Sequence, residues 1–199
     1  ESQKQAQALA PGAAQQQDKP SFVKVSPFND YRLEGLKMDP PKELCPHILV
    51  EHETTILFSG PGVGKTALAT QIAFELAEQG MRVLVVNFEL SQQQLALRYP
   101  NKEFPNTLYH ASIDYTKMHD VTDQNLILPE IERLAVERNI ELIIIDNFTN
   151  LCINSKEAAE AGNIMVKLLA MRMTHNWTML ILAHVPKRKQ GDPLTIDDL

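Results

Sequence analysis

The sequence predicts an α/β protein with a mostly parallel, twisted sheet flanked by helices. From Thr54 onward, short apolar runs rich in Ile, Leu and Val alternate with longer segments of helical period, which is typical of parallel strands joined by helices. Most of these runs are apolar on both faces, as buried parallel strands are. With 199 residues, of which 44% are hydrophobic, the chain can bury one sizeable core.

Five apolar runs are predicted to be strands, at residues 54–59, 82–88, 108–110, 142–146 and 178–184. Segments with helical period fall between most of them. Leu68, Ile72 and Leu76 share one helical face after the first strand, and residues 156–175 show the same period before the last strand. Strands and helices are therefore expected to alternate along most of the chain.

The first 46 residues do not share this pattern. Residues 1–20 contain few large apolar side chains and are rich in Gln and Ala, so we expect a disordered linker, which could follow an upstream segment. Residues 21–46 carry scattered aromatic residues among several prolines, including Pro40 and Pro41. Because proline disfavours helix in the residue before it, we expect an extended strap lying on a domain formed by residues 47–199.

Charge, cysteine content and hydropathy exclude several classes of protein. The formal net charge is −6, so any contact with nucleic acid would need a local basic patch. Cys45 and Cys152 are the only cysteines, too few for a disulfide scaffold or a zinc site. No apolar stretch approaches the roughly 18 residues that a membrane span requires. We therefore expect a soluble, cytoplasmic protein with no membrane partner.

The loop after the first core strand has the pattern of a phosphate-binding loop. Its glycines let successive N–H groups face one centre, and the helix that follows directs its positive end to the same point. Lys65 is expected to reach the β- and γ-phosphates of ATP, and the Thr66 hydroxyl to bind Mg²⁺. Ser59 stands where the usual pattern has Gly. The alternative to a phosphate-binding loop is a Gly-rich turn that only joins the strand to the helix. The predicted ATP-binding residues of the loop are Ser59, Gly60, Pro61, Gly62, Val63, Gly64, Lys65, Thr66 and Ala67.

Two carboxylates that end apolar strands are candidates for the chemistry. Asp146 ends the run 142–146 and is expected to be the second protein group at the Mg²⁺, unless it only begins a loop. Asn147 follows it, so the base that orients an attacking water has to come from elsewhere. Glu89 ends the neighbouring run and is the candidate base. Its alternative interpretation is an acid that favours the start of the next helix.

The segment 88–98, the phosphate-binding loop and Asp146 together resemble the RecA-like P-loop ATPases, in particular hexameric helicases of the DnaB and plasmid RepA kind. The resemblance covers residues 47–189 and implies a RecA-like core. It implies that Glu89 polarises the attacking water and that strand 178–184 lies between strands 54–59 and 142–146. It also implies a ring-shaped homo-oligomer, a hexamer as in those helicases, with single-stranded DNA as the partner.

The same resemblance assigns roles to residues outside the loop. His184, at the end of the last strand, corresponds to a catalytic side chain that senses the γ-phosphate, although a structural histidine is the alternative. Arg98 corresponds to an arginine that packs on adenine, against the alternative of a solvated side chain. Lys187, Arg188 and Lys189 are expected either to bind DNA or to reach the neighbouring subunit's nucleotide, against the alternative of a solvated basic loop. RecA-like domains carry further C-terminal strands, so the resemblance implies that strands are missing after Leu199.

Three functions remain open at this point. The first is a Mg·ATP-hydrolysing motor that acts on single-stranded DNA as a helicase or recombination ATPase. The second is a regulatory ATPase that switches a protein partner without binding DNA, which suits the acidic charge. The third is a small-molecule kinase, which is disfavoured because no arginine-rich lid or acceptor pocket is found and Glu89 would have no purpose.

Overall fold

The computed structural model describes residues 22–118, 125–152 and 158–184, with the backbone alone for 158–160. The chain divides into two compact units, Glu1–Pro40 and Pro41–Leu199. The predicted linker at residues 1–20 lies outside the described residues. None of the helices that the structure describes is long and apolar enough to cross a bilayer.

In the first unit, residues 28–35 form a helix, α1 (Phe28–Gly35), and all of its side chains are exposed. The prediction of extended backbone throughout residues 21–46 is therefore wrong for this segment. Pro27 occupies the N-cap position of α1, and the eight residues that follow it contain no proline. Since proline is tolerated at the start of a helix and disrupts only its interior, Pro27 is compatible with the helix after it.

The second unit contains five parallel strands: β3 (Thr54–Ser59), β4 (Val83–Asn87), β5 (Leu108–Ser112), β6 (Leu142–Asp146) and β7 (Thr178–His184). They form one sheet with the order β3-β7-β6-β4-β5, so β7 lies between the strand of the glycine-rich loop and the strand of Asp146, as predicted. A separate antiparallel hairpin consists of β1 (Glu43–Cys45) and β2 (Leu49–Val50). Because the five strands are parallel, their carboxyl ends meet at one edge of the sheet.

Helices cover both faces of this sheet. They are α2 (Lys65–Glu78), α3 (Gln92–Arg98), α4 (Ile127–Glu137), the short α5 (Phe148–Leu151) and α6 (Ala158–His175), with a 3₁₀ turn at Tyr115–Lys117. On β6, Leu142 and Ile144 share a buried cluster with α2, whereas Ile143 and Ile145 share one with α4 and α6. Alternate residues of a strand point to opposite faces, so a run that is apolar at every position fills two core layers.

The bounds of two strands differ from the prediction. Strand β4 ends at Asn87, because its side-chain Oδ1 accepts hydrogen bonds from the N–H groups of Glu89 (2.8 Å) and Leu90 (2.9 Å) and turns the chain out of the sheet. Strand β5 extends beyond His110 to Ser112, paired in register with the whole of β4. Leu68, predicted on the buried face of α2, is exposed, and alanines fill much of that face instead.

Candidate functional site

The loop between β3 and α2 turns through two glycines in the left-handed region of backbone conformation. Gly62 has φ 78° and Gly64, the N-cap of α2, has φ 94°. A Cβ at either position would meet no atom within 4 Å, so conformation rather than space requires glycine here. Helix α2 then begins at Lys65. Its first N–H groups therefore face the loop, which is the arrangement that binds anions at helix N-termini.

The Lys65 side chain lies over this loop. Its Nζ donates to the carbonyl oxygens of Ser59 (2.8 Å) and Gly60 (3.0 Å) and to Ser59 Oγ (2.9 Å). A glycine at position 59 could not provide the last of these contacts. Ser59, which departs from the usual loop pattern, therefore helps to hold the ammonium group at the mouth of the loop.

Asp146 ends β6 with only 4% of its surface exposed. Burial raises the pKa of its carboxyl group, and the nearby Glu89 adds to this; a hydrogen bond from Thr66 and the charges of His184 and Lys65 act in the opposite direction. The Thr66 hydroxyl and the Asp146 carboxylate thus lie side by side. These are two hard oxygen ligands of the kind that Mg²⁺ prefers. Within the described residues, no cluster of three or more His, Cys, Asp or Glu side chains could hold a metal by itself.

We expect Asp146→Asn to raise the melting temperature measured without nucleotide or Mg²⁺. A carboxyl group whose pKa is raised by folding destabilises the folded chain when it is ionised, so its removal stabilises the fold at neutral pH. Asparagine still accepts from Thr66. For a chain of this length, each kcal/mol corresponds to about 2–4 °C. The control is Asp114→Asn, since hydrogen bonds from Thr116 and Lys117 lower the pKa of Asp114; a fall in melting temperature for Asp146→Asn would contradict the expectation.

Glu89 follows β4, and its carboxylate meets three hydrogen-bond donors. Asn147 Nδ2 donates to Glu89 Oε1, Asn150 Nδ2 lies 3.3 Å from the same oxygen, and His184 Nε2 lies 3.3 Å from it. The backbone N–H of Phe88 donates to the carbonyl of Asp146 at 2.8 Å. Glu89 is therefore held beside the end of β6, next to the proposed metal ligand.

His184 connects the lysine to the glutamate. Its Nδ1 lies 3.3 Å from Lys65 Nζ and its Nε2 lies 3.3 Å from Glu89 Oε1. An ammonium group can only donate hydrogen bonds, so Nδ1 is the acceptor and Nε2 carries the proton. The backbone N–H of His184 also contacts Thr149 Oγ1 at 3.4 Å. The imidazole thus lies between the loop and the candidate base, where a change at either would reach it.

Comparison with known families identifies the domain that carries this site. A family model, AAA_25, described as an AAA domain, matches residues 19–190. The chain belongs to this family of AAA domains. Together with the parallel sheet, the loop and the strand order, this makes it a P-loop ATPase domain of the RecA-like kind, a fold that binds nucleotides.

Two curated relatives of this AAA domain are both called DNA repair protein RadA. The protein of Campylobacter jejuni is 28% identical over 146 residues, which are 70% of this chain and 30% of the relative. The protein of Synechocystis is 30% identical over 144 residues, 66% of this chain and 28% of the relative. The chain thus spans less than a third of the length of these relatives. The crystal structure of a KaiC-like protein, PH0186 from Pyrococcus horikoshii, has a similar fold, with a TM-score of 0.57 at 19% identity over 69% of this chain and 63% of that one.

The remaining predicted residues of the AAA domain differ in where they lie. Ala67 is on the exposed side of the first turn of α2. Arg98 is exposed at the end of α3 and does not line the cavity of about 580 Å³ that opens beside Glu89. The predicted basic run 187–189 is outside the described residues.

Three asparagines of the AAA domain were not predicted as site residues. Asn87, Asn147 and Asn150 surround the Glu89 backbone or carboxylate. Asn147 could have been found as a favoured N-cap residue directly after the Asp146 strand, because its Oδ1 caps α5. Asn150 carries no such local signal, since it is 61 positions away from Glu89 and reaches it only in the folded chain.

Proposed function

We propose that this AAA domain hydrolyses Mg·ATP by in-line attack of water and uses the cycle to act on single-stranded DNA, as a helicase or recombination ATPase. The observation that carries the hydrolytic part is that Lys65, Asp146, Glu89 and His184, from four separate segments, meet at one edge of the sheet. In a nucleotide-binding fold, Lys65 is the cation that binds the phosphates and Asp146 is the carboxylate that binds the metal. Glu89 is the general base, and His184 is the side chain that senses the γ-phosphate.

Each residue has a separate task in this proposal. The loop N–H groups and Lys65 bind the β- and γ-phosphates. Thr66 and Asp146 would hold Mg²⁺, which when bound would neutralise charge on the phosphates. Glu89 accepts a proton from the attacking water. His184, hydrogen-bonded to both Lys65 and Glu89, responds when the γ-phosphate is lost.

The DNA part of the proposal is supported by the names of the two RadA relatives and by the resemblance to DnaB and RepA helicases. We further propose a hexameric homo-oligomer in the cytoplasm, with Arg98 packed on adenine. Lys187, Arg188 and Lys189 follow His184 after two residues, so in this proposal they are the basic patch that an acidic chain needs for DNA, or a finger to the neighbouring nucleotide.

A second candidate function is a regulatory ATPase that switches a protein partner without DNA. The formal net charge of −6 favours it, because long-range repulsion opposes the approach of a polyanion. The two functions share the nucleotide site and differ only in the effector. Measurements of ATP turnover with and without single-stranded DNA therefore separate them.

We expect single-stranded DNA to stimulate ATP hydrolysis severalfold, and His184→Ala to bind ATP normally but lose this stimulation. The imidazole contacts both the phosphate cation and the base, so its removal should disconnect them. The measurement is the steady-state ATPase rate against DNA concentration at several salt concentrations. The exposed His47, which pairs only with Glu43 among described residues, provides the control His47→Ala.

The basic run is tested in the same assay. Replacing Lys187, Arg188 and Lys189 by alanine should weaken DNA binding and flatten its salt dependence. If the triple variant binds DNA normally but loses activity only in the oligomer, the run is an intersubunit finger. An unstimulated parent chain with no salt-dependent DNA binding would contradict the motor function and favour the regulatory ATPase.

A further inference from the structure

The three side-chain donors around Glu89 all converge on one of its two carboxylate oxygens. Asn147 Nδ2, Asn150 Nδ2 and His184 Nε2 each contact Oε1. Across the part of the chain that the structure describes, no hydrogen bond reaches Oε2. A carboxylate held at one oxygen by several donors keeps a fixed rotation and offers the second oxygen as a hydrogen-bond acceptor.

The orientation of the Asn147 amide follows from its own contacts. Asn147 is 1% exposed and is the N-cap of α5, where its Oδ1 accepts from the backbone N–H of Asn150 at 3.0 Å. A backbone N–H can only donate, so the oxygen of the amide must face it. The NH₂ group then faces Glu89, and both ends of this buried side chain are satisfied.

We propose that Asn147 and Asn150 are positioning residues that hold Glu89 by Oε1, so that Oε2 faces the attacking water. This inference rests on the proposed role of Glu89 as base. In the step concerned, the water oxygen bonds to the γ-phosphorus while the bond to the bridging oxygen breaks. Oε2 takes the water proton, and the leaving electron pair stays on ADP.

The backbone fixes the same geometry from the other side. Asn87 accepts from the N–H groups of Glu89 and Leu90, and Asn87 is the register partner of Asp146 across the sheet. Asn147 follows Asp146 directly. The base Glu89 and the proposed metal ligand Asp146 are thus connected through two adjacent strand ends and the side-chain amide of Asn147. A small change in the carboxylate rotation would move Oε2 away from the attacking water.

Asn147→Ser separates positioning from helix capping. Serine is also a good N-cap residue, so α5 keeps its cap, but the shorter side chain has no amide to reach Glu89. We expect kcat for ATP to fall about tenfold, with the affinity for a fluorescent ATP analogue and the melting temperature unchanged. Asn150→Ala, which keeps the backbone N–H that is capped, should lower kcat by a smaller factor. Gln93→Ala, an exposed amide on α3, is the matched control.

A double-variant cycle shows whether Asn147 acts through Glu89. Single-turnover hydrolysis is measured in the parent, Asn147→Ser, Glu89→Gln and the double variant. If the inference holds, the serine substitution has no further effect once Glu89 is replaced. An equal loss in both backgrounds, or unchanged or faster turnover by Asn147→Ser, would overturn the inference while leaving the base assignment intact. Parent-like turnover by Glu89→Gln would instead overturn the base assignment, and the inference with it.

Discussion

Lys65→Ala is expected to weaken nucleotide binding at least about a hundredfold, since a hydrogen bond to a charged group contributes about 1.5–3 kcal/mol and Lys65 would make more than one to the phosphates. The substitution keeps Gly62 and Gly64, the two residues with left-handed φ angles that turn the loop. Circular dichroism should therefore show a folded protein. The measurement is the titration of a fluorescent ATP analogue in the presence of Mg²⁺.

The control for this variant is Lys117→Ala. Lys117 is exposed in the 3₁₀ turn and pairs with Asp114 at 3.3 Å, away from the loop. It should bind the analogue as the parent does. If folded Lys65→Ala also binds the analogue with parent affinity, the assignment of residues 59–67 as the phosphate site is wrong.

Glu89→Gln is expected to retain ATP binding and to lower turnover about a hundredfold or more, the usual scale for removal of a positioned base. Glutamine keeps the size of the side chain, and its Oε1 can still accept from Asn147 and His184. The loss should therefore appear in kcat and not in KM. Steady-state and single-turnover hydrolysis of ATP measure it.

Glu78→Gln provides the matched control, because Glu78 is exposed at the end of α2, far from the loop end of that helix. It should turn over ATP at the parent rate. Parent-like hydrolysis by Glu89→Gln would place the base on another residue and would remove the main support for the motor and the regulatory function alike.

The sheet and its loop were predictable from sequence because their determinants are local. Strand β6 is apolar at four successive positions and buried at all of them, and the Gly-Lys-Thr ending of the loop leads directly into a helix that begins at its lysine. Helix α1 was not predicted because its fully exposed residues form no apolar face. The hairpin of β1 and β2, with strands of three and two residues, is too short to produce a period.

The contacts within the site were only partly predictable. Asp146 and Glu89 could be chosen because a carboxylate at the end of an apolar strand is unusual. Placing His184 beside both Lys65 and Glu89 required the strand order, which the sequence predicted only through the family resemblance. Asn147 offered only the local signal of an N-cap residue after the Asp146 strand. Asn87 and Asn150 could not be chosen, because an amide becomes informative only when its partner is known. The roles of Arg98 and of residues 187–189 stay predictions.

The two strand ends that carry Asp146 and His184 do not finish at the same height. Asp146 is the register partner of Leu182, so β7 continues for two residues beyond β6, where Ser59 of β3 supports it. Two residues of strand correspond to about 6.6 Å. Strand β7 is also hydrogen-bonded on both sides and buried up to Ala183. A mechanical load applied at His184 would thus be shared by three strands, and in the proposed motor the sheet would act as the stiff support of the nucleotide site.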